Sequence, residues 1–253
     1  MFARVTGRLF TGTFKALFSD FDAFIRIVWA WYLLVAVLSV AGRLFAAQSV
    51  AVTAVTALVF LCASASISVA WHRNLLLRES PASMHLAFGR REVSYVLKTV
   101  LILSIMVVPA TILVMLAVLF ANKGSLVTFV IAAVLISLLL TPPFMRMCLV
   151  LPATALDEKL GIAEAFRDSE GLGLPMAIAG IAVGLIVSAL QYGLGWFAGL
   201  FGTGSLFGVV ALFILSVALQ IAVTALQIGV LTGGYYILRE RQMAEPGGPP
   251  AAD

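Results

Sequence analysis

Few side chains in this chain have the types and spacing that do chemistry. His72 and His85 stand 13 residues apart, with no local cysteine or acidic pattern of metal-site spacing, so they read as interfacial histidines and no metal site is expected. Asp157 and Glu158 have the groups of an acid–base couple, but adjacent side chains on a helix point in different directions, and the pair reads as a solvated charged face. A GxSxG elbow, a phosphate-cradling glycine loop followed by lysine, and HExxH are all absent. The sequence therefore names no catalytic residue and no cofactor site. What remains is small or neutral-polar. Gly180, Gly184 and Ser188 recur every four positions, Gln191 follows them, and Ser216, Gln220, Thr224 and Gln227 share one helical face. Inside a membrane such residues let helices approach closely and hydrogen-bond to one another; the alternative reading is a polar pathway or a lipid headgroup pocket. An ion pathway needs an ionisable group at mid-depth, and the nearest, Lys98, lies about one turn into its span, where it can snorkel.

The elements that must position these residues follow from composition. The chain is 62% apolar and 11% charged, with a mean hydropathy of +1.10, against about 45–50% apolar and about 25% charged in soluble domains. This is the composition of an all-α, multi-pass membrane protein. An N-terminal segment, 1–23, places Phe10, Phe14, Leu17, Phe18 and Phe21 at helical spacing with Arg4, Arg8 and Lys15 between them, which predicts an amphipathic helix in the headgroup plane rather than a secretory signal. Six spans follow within 24–238, at about 24–45, 50–71, 93–121, 126–145, 175–197 and 206–237. The Pro142–Pro143 pair is expected to end the fourth. The charged stretch from Arg146 to Glu170 is expected to hold a second amphipathic helix, with Leu160, Ile162, Ala163 and Phe166 on its apolar side. Gly171 to Leu238 has no charge in 68 positions, enough for two spans split by a glycine-rich turn at 199–205. The tail, 239–253, is rich in Pro, Gly and Ala and is expected to be disordered. Cys62 and Cys148 imply no disulfide framework.

Six spans put both termini on one side, and that side carries 14 Lys and Arg against 2 on the other, Arg43 and Lys123. The positive-inside rule then places both termini in the cytoplasm. No basic cluster is dense enough to neutralise several phosphates of a nucleic acid. The outer loops are only a few residues long, which leaves the bilayer and the cytoplasmic rim as the places where the protein works.

A weak internal repeat supports this layout. Aligning Phe18, Phe88 and Phe166, spaced by 70 and 78 residues, brings an acid four positions later each time: Asp22, Glu92 and Glu170. Each pair of spans also ends in an aromatic followed closely by arginine: Trp71 and Arg73, Phe144 and Arg146, Tyr236 and Arg239. The pattern predicts three units, each an interfacial helix followed by a two-span hairpin. Interfacial preference alone accounts for these residue types. The sharper reading is that the acid of one hairpin pairs with the terminal arginine of a neighbour and clamps the cytoplasmic rim.

The segments VAWHRNLLLRESP and GRREVSYVLK, with MRMCLVLPATALDEKLGIAEAFRDSEG further on, resemble bacterial six-span inner-membrane proteins of the YciC-like kind. They are also similar to the membrane domain fused in some bacteria to glycerophosphodiester phosphodiesterases, although the catalytic domain of those enzymes is absent here. The resemblance implies a bacterial inner-membrane protein with no catalytic residues to carry over. The expected function is non-enzymatic: a component that organises lipid, a membrane-protein partner or a second copy of itself. A carrier for lipid or another amphiphile, using the polar face of spans five and six, is the alternative, and an intramembrane lipid-modifying enzyme a further one.

Overall fold

The computed structural model describes residues 2–45, 49–121, 126–201 and 206–244, and every regular element among them is an α-helix. In chain order these are α1 (Phe2–Ser19), α2 (Phe21–Phe45), α3 (Val50–Leu77), α4 (Arg90–Ala121), α5 (Leu126–Cys148), α6 (Val150–Ala155), α7 (Ile162–Asp168), α8 (Gly173–Phe201) and α9 (Leu206–Ala244). The six long ones, α2 to α5, α8 and α9, contain stretches long and apolar enough to cross a membrane. Even the 23 residues of α5 reach about 34 Å at 1.5 Å per residue, more than the hydrocarbon core of about 30 Å.

The spans outrun the expected limits at one end. Helix α3 continues to Leu77, α5 runs through Pro142 and Pro143 to Cys148, and α9 extends to Ala244. The prolines remove backbone donors without ending the helix, as membrane helices tolerate when neighbours cover the freed carbonyls. Residues 239–244 are thus helical rather than part of a tail, and 245–253 lie outside the described residues; of the glycine-rich turn expected at 199–205, residues 199–201 belong to α8 and 202–205 lie outside the described residues. The three-unit repeat of interfacial helices is not formed: residues 78–89 contain no helix, and the third stretch divides into α6 and the seven-residue α7. In α7 the side turned inward is Ala165, while Ala163 and Phe166 are exposed and Leu160 and Ile162 half-buried. The Phe166 ring instead lies under the Arg146 guanidinium, 3.9 Å from it, which leaves Ala165 on the buried side.

Helices α3, α4, α5, α8 and α9 form a ring, each packed on the next and α9 returning to α3; α2 lies outside on α3, and α6 sits within, against α3, α4, α5 and α9. Helix α1 lies across α8 and α9. Arg8 of α1 meets Glu240 of α9 at 2.8 Å, so the first and last described helices meet at one end of the bundle, termed the termini end. Burial concentrates there. Leu9, Phe24, Trp71, Leu149, Met176 and Leu238 are fully buried, and the Phe24 ring meets Trp71 edge-on at 4.7 Å. Toward the far end Val37, Val50, Leu58, Val127 and Tyr192 are exposed. In lipid the apolar side chain gains little by leaving the bilayer, so helices stay together only where packing and polar contacts hold them.

Glycines supply that packing where backbones come close. Helix α1 turns Leu9, Thr13 and Leu17 inward, one turn apart, whereas Phe18 and Phe21 of the expected apolar face are exposed. Thr13 and Leu9 rest on Gly229 and Gly233 of α9, where an added Cβ would stand 2.7 Å from Thr13 Cγ2 and 3.1 Å from Leu9 Cδ2. The helix is therefore docked on protein as well as lying at the bundle's end. Gly173, at the start of α8, is tighter still, its added Cβ falling 2.7 Å from the Pro142 carbonyl oxygen. That obstacle is backbone and cannot swing away. Gly173→Ala should therefore lower the unfolding free energy by about 1–3 kcal/mol, whereas Gly184→Ala, with nothing within 4 Å of the new atom, should leave it unchanged; denaturation of the two variants in detergent micelles reads the contrast.

Candidate functional site

The centre of the termini end is α6. All six of its residues are buried. Pro152 falls in its first turn, where backbone N–H groups have no intrahelical acceptor in any case. The opposite end is the harder problem, since helix-end carbonyls buried in an apolar bundle must find donors. The chain supplies two by reversing direction: Glu158 N–H donates to Ala153 O at 2.9 Å and Asp157 N–H to Thr154 O at 3.2 Å. This is a Schellman turn, with Asp157 in the left-handed position at φ 61° that glycine usually fills. The third carbonyl, Ala155 O, accepts from Arg73 Nη1 at 3.0 Å. A guanidinium at a helix C-terminus also meets the negative end of the helix dipole.

The same turn parts the two adjacent acids. Asp157 accepts from Arg91 Nε at 2.7 Å and lies 3.7 Å from Arg73, while Glu158 accepts from Arg239 Nη1 at 3.0 Å and from the Tyr235 hydroxyl. Arg73 binds Glu79 as well, at 2.6 Å. Lys98 does not turn to the surface but donates to Thr154 of α6 at 2.8 Å. Cations from α3, α4 and α9 therefore converge on one short helix and its turn. Asp157 is exposed, as the expected solvated face requires, and Glu158 is half-buried; what spacing did not indicate is that both are paired with rim arginines.

The six groups singled out for rim pairing do not pair with one another. Asp22 binds Arg26 of its own helix at 2.6 Å. Glu92 accepts from the Gly89 N–H at 2.7 Å and closes the first turn of α4, as a glutamate three positions into a helix commonly does. Arg146 lies over the Phe166 ring, 3.9 Å from its centroid, and donates to the Phe166 carbonyl and to Ser169 Oγ. Among the described residues, Glu170 engages through its backbone carbonyl alone, which accepts from Arg241. Arg73 and Arg239 reach the acids of the α6 turn. An acid at the start of a helix meets its own N-terminus before any neighbour. The histidines also separate: His72 is fully buried, its Nδ1 2.8 Å from Thr232 Oγ1, and His85 lies in the segment after α3, where burial pulls its pKa below the usual imidazole range.

On the membrane side of α6, helices α4, α5, α8 and α9 line a half-open cavity of about 460 Å³, walled by Ile102, Leu103, Phe144, Met145, Leu151 and Ile181 among others. Besides the Cys148 thiol, three side-chain polar groups line it. Thr99 and Thr141 are satisfied by their own helices, through Tyr95 O and Ser137 O, and Gln227 has no hydrogen-bond partner among the described residues. Gly180 lines the same space, its missing side chain facing Met145. Two positions expected on separate spans are thus brought to one cavity. Gly184 is half-buried, and Ser188, Gln191, Ser216 and Gln220 are exposed on the continuations of those stripes. Thr224 instead bonds the Tyr32 hydroxyl of α2 at 2.9 Å, which also donates to Gln220 O. The glycine signal that the sequence reading passed over is Gly229-x-x-x-Gly233, the seat of α1.

Comparison with known protein families, with characterised proteins and with solved structures finds no match to this chain. Fold and site define it as a six-span, α-helical, multi-pass membrane protein whose helical ring is plugged by a buried short helix. Removing Arg73, whose side chain is 17% exposed, bares the Ala155 carbonyl and leaves Glu79 beside Asp157. Arg73→Ala should cost about 1.5–3 kcal/mol of stability, and Asp22→Ala, which loses an exposed pair one turn apart, less than about 0.5 kcal/mol. Parallel denaturant titrations that found the two equal would remove Arg73 from the role of cap.

Proposed function

We propose that this is a non-enzymatic protein of the bacterial inner membrane, with both termini cytoplasmic, that organises lipid by holding an amphiphile in the cavity beneath α6. The observation that carries this reading is the cavity: about 460 Å³, within the range of about 300–1,000 Å³ typical of small-molecule sites. Its walls are mainly apolar, as an acyl chain requires, and Gln227 offers an unpaired amide to a polar linkage. The 14 to 2 distribution of basic residues supports the orientation, and the resemblance to YciC-like proteins supports the membrane. A carrier is the second reading, favoured by one feature: the stripes Gly180–Gln191 and Ser216–Gln227 both have a member in the cavity and continue away from it as exposed positions. The exposed part of the α8 stripe is also where a membrane-protein partner or second copy would fit.

Native mass spectrometry of the gently extracted protein should find a retained lipid or other amphiphile that is lost from Gln227→Leu and from Leu103→Trp, the latter filling the space. A lipid complement identical in all three sinks the reading. Vesicle-to-vesicle transfer of labelled lipid separates the two forms: the organising role expects the rate of protein-free vesicles, the carrier a faster rate abolished by Gln227→Leu.

A further inference from the structure

A second opening lies away from that cavity, at the termini end. Helix α1, the end of α3 and α9 border an open recess of about 300 Å³. From α1 its wall is Arg8, Gly12, Lys15, Ala16 and Ser19, which fall on one helical stripe. The small residues in the middle make the room, and nothing stands within 4 Å of a Cβ added at Gly12. The floor is apolar, with Leu75, Leu76 and Ile237.

Its charge is uneven. Arg8, Lys15 and Arg78 line the opening against one acid, Asp20. Arg8 is held by Glu240 in a two-pronged pair at 2.8 and 2.9 Å, and Arg78 reaches Asp20 at 3.3 Å. Lys15 has no acidic partner among the described residues. Asp20 and Arg78 also border a neighbouring opening of about 250 Å³ lined by Asn74, Arg26 and Ser80. Asn74 is 7% exposed, and its amide has no hydrogen-bond partner among the described residues. That amide is not sealed by protein and so faces the opening, where it can meet a ligand.

We propose that these two openings, which share Asp20 and Arg78 as a common wall, bind the headgroup of an anionic phospholipid from the leaflet at the termini end. Lys15 and Arg78 take the phosphodiester, and Asn74 and Asp20 take headgroup hydroxyls. Basic pockets at span ends suit such headgroups, because a partly desolvated phosphate gains from each nearby cation. A soluble phosphate would share the chemistry but has no use for the apolar floor or for Phe18, which stands 73% exposed three residues from Lys15. This site is separate from the cavity beneath α6 and does not rest on it.

The test uses the full chain in bilayer discs of phosphatidylethanolamine with equal minor fractions of phosphatidylglycerol and phosphatidylcholine, followed by native mass spectrometry of the lipids retained. Phosphatidylglycerol should be kept several-fold over phosphatidylcholine. Lys15→Ala should lower its retention about fivefold, the equivalent of about 1 kcal/mol for one cation, and Lys15→Arg should preserve it. Arg78→Gly should match Lys15→Ala while relieving the left-handed backbone at φ 56°, so a folding defect in either variant is separable from lost binding. Gln227→Leu should leave phosphatidylglycerol in place. Equal retention of the two minor lipids, or no loss in either cation variant, overturns the proposal. So does loss of phosphatidylglycerol in Gln227→Leu, which would assign the lipid to the other cavity. Complete displacement by an equal concentration of inorganic phosphate would reassign the opening to a soluble anion.

Discussion

A helix end buried among apolar helices is tolerable only if its carbonyls are all engaged, and the end of α6 is where this protein meets that demand. Two carbonyls are closed by the Schellman turn and the third by Arg73. The left-handed residue of that turn is Asp157, not glycine, so the cap brings a carboxylate to where Arg73 and Arg91 arrive. Glu158, one residue on, engages α9 through Arg239 and Tyr235. The electrostatics of the rim are in this sense a consequence of how one six-residue helix stops.

The cavity depends on the same plug. Five helices in a ring leave space at their axis, and α6 fills it at the termini end only. Below Leu151 the walls are apolar but not filled, and Gln227 remains without a protein partner. Gln227 is itself exposed, so its amide stands at the edge of that space. The ring is secured at the plugged end by the close approach of Gly173 to the Pro142 carbonyl, and α1 is seated on α9 by Gly229 against the Thr13 side chain; the far end is left freer to face lipid. Helix α1 belongs to this securing layer, and because its small-residue stripe does not fill the angle between α3 and α9, it also creates the basic opening.

Much of the architecture is local and was legible in the residues. Uncharged apolar runs longer than the bilayer is thick must be spans, and Gly171 to Leu238 could hold two. Helicity at Phe2–Ser19 followed from spacing, but its buried face did not, because Phe10 and Phe14 compete with Leu9 and Thr13 for the inward side and only the glycines of α9 decide between them. The proline pair misled for a similar reason, since whether a lost backbone donor ends a helix depends on what surrounds it.

The sequence by itself determined the class, the number of spans and the grouping of the basic residues, because these follow from the free energy of placing each segment in lipid or water. The tertiary structure decided which charges meet and which polar groups share a space. Arg73 and Asp157 are 84 positions apart, and Gly180 and Gln227 lie on different helices; no periodicity within a segment encodes such a meeting. It arises when helices find their rotations and depths against one another, and here those are set by close approach at glycine and by the need to cap one buried helix.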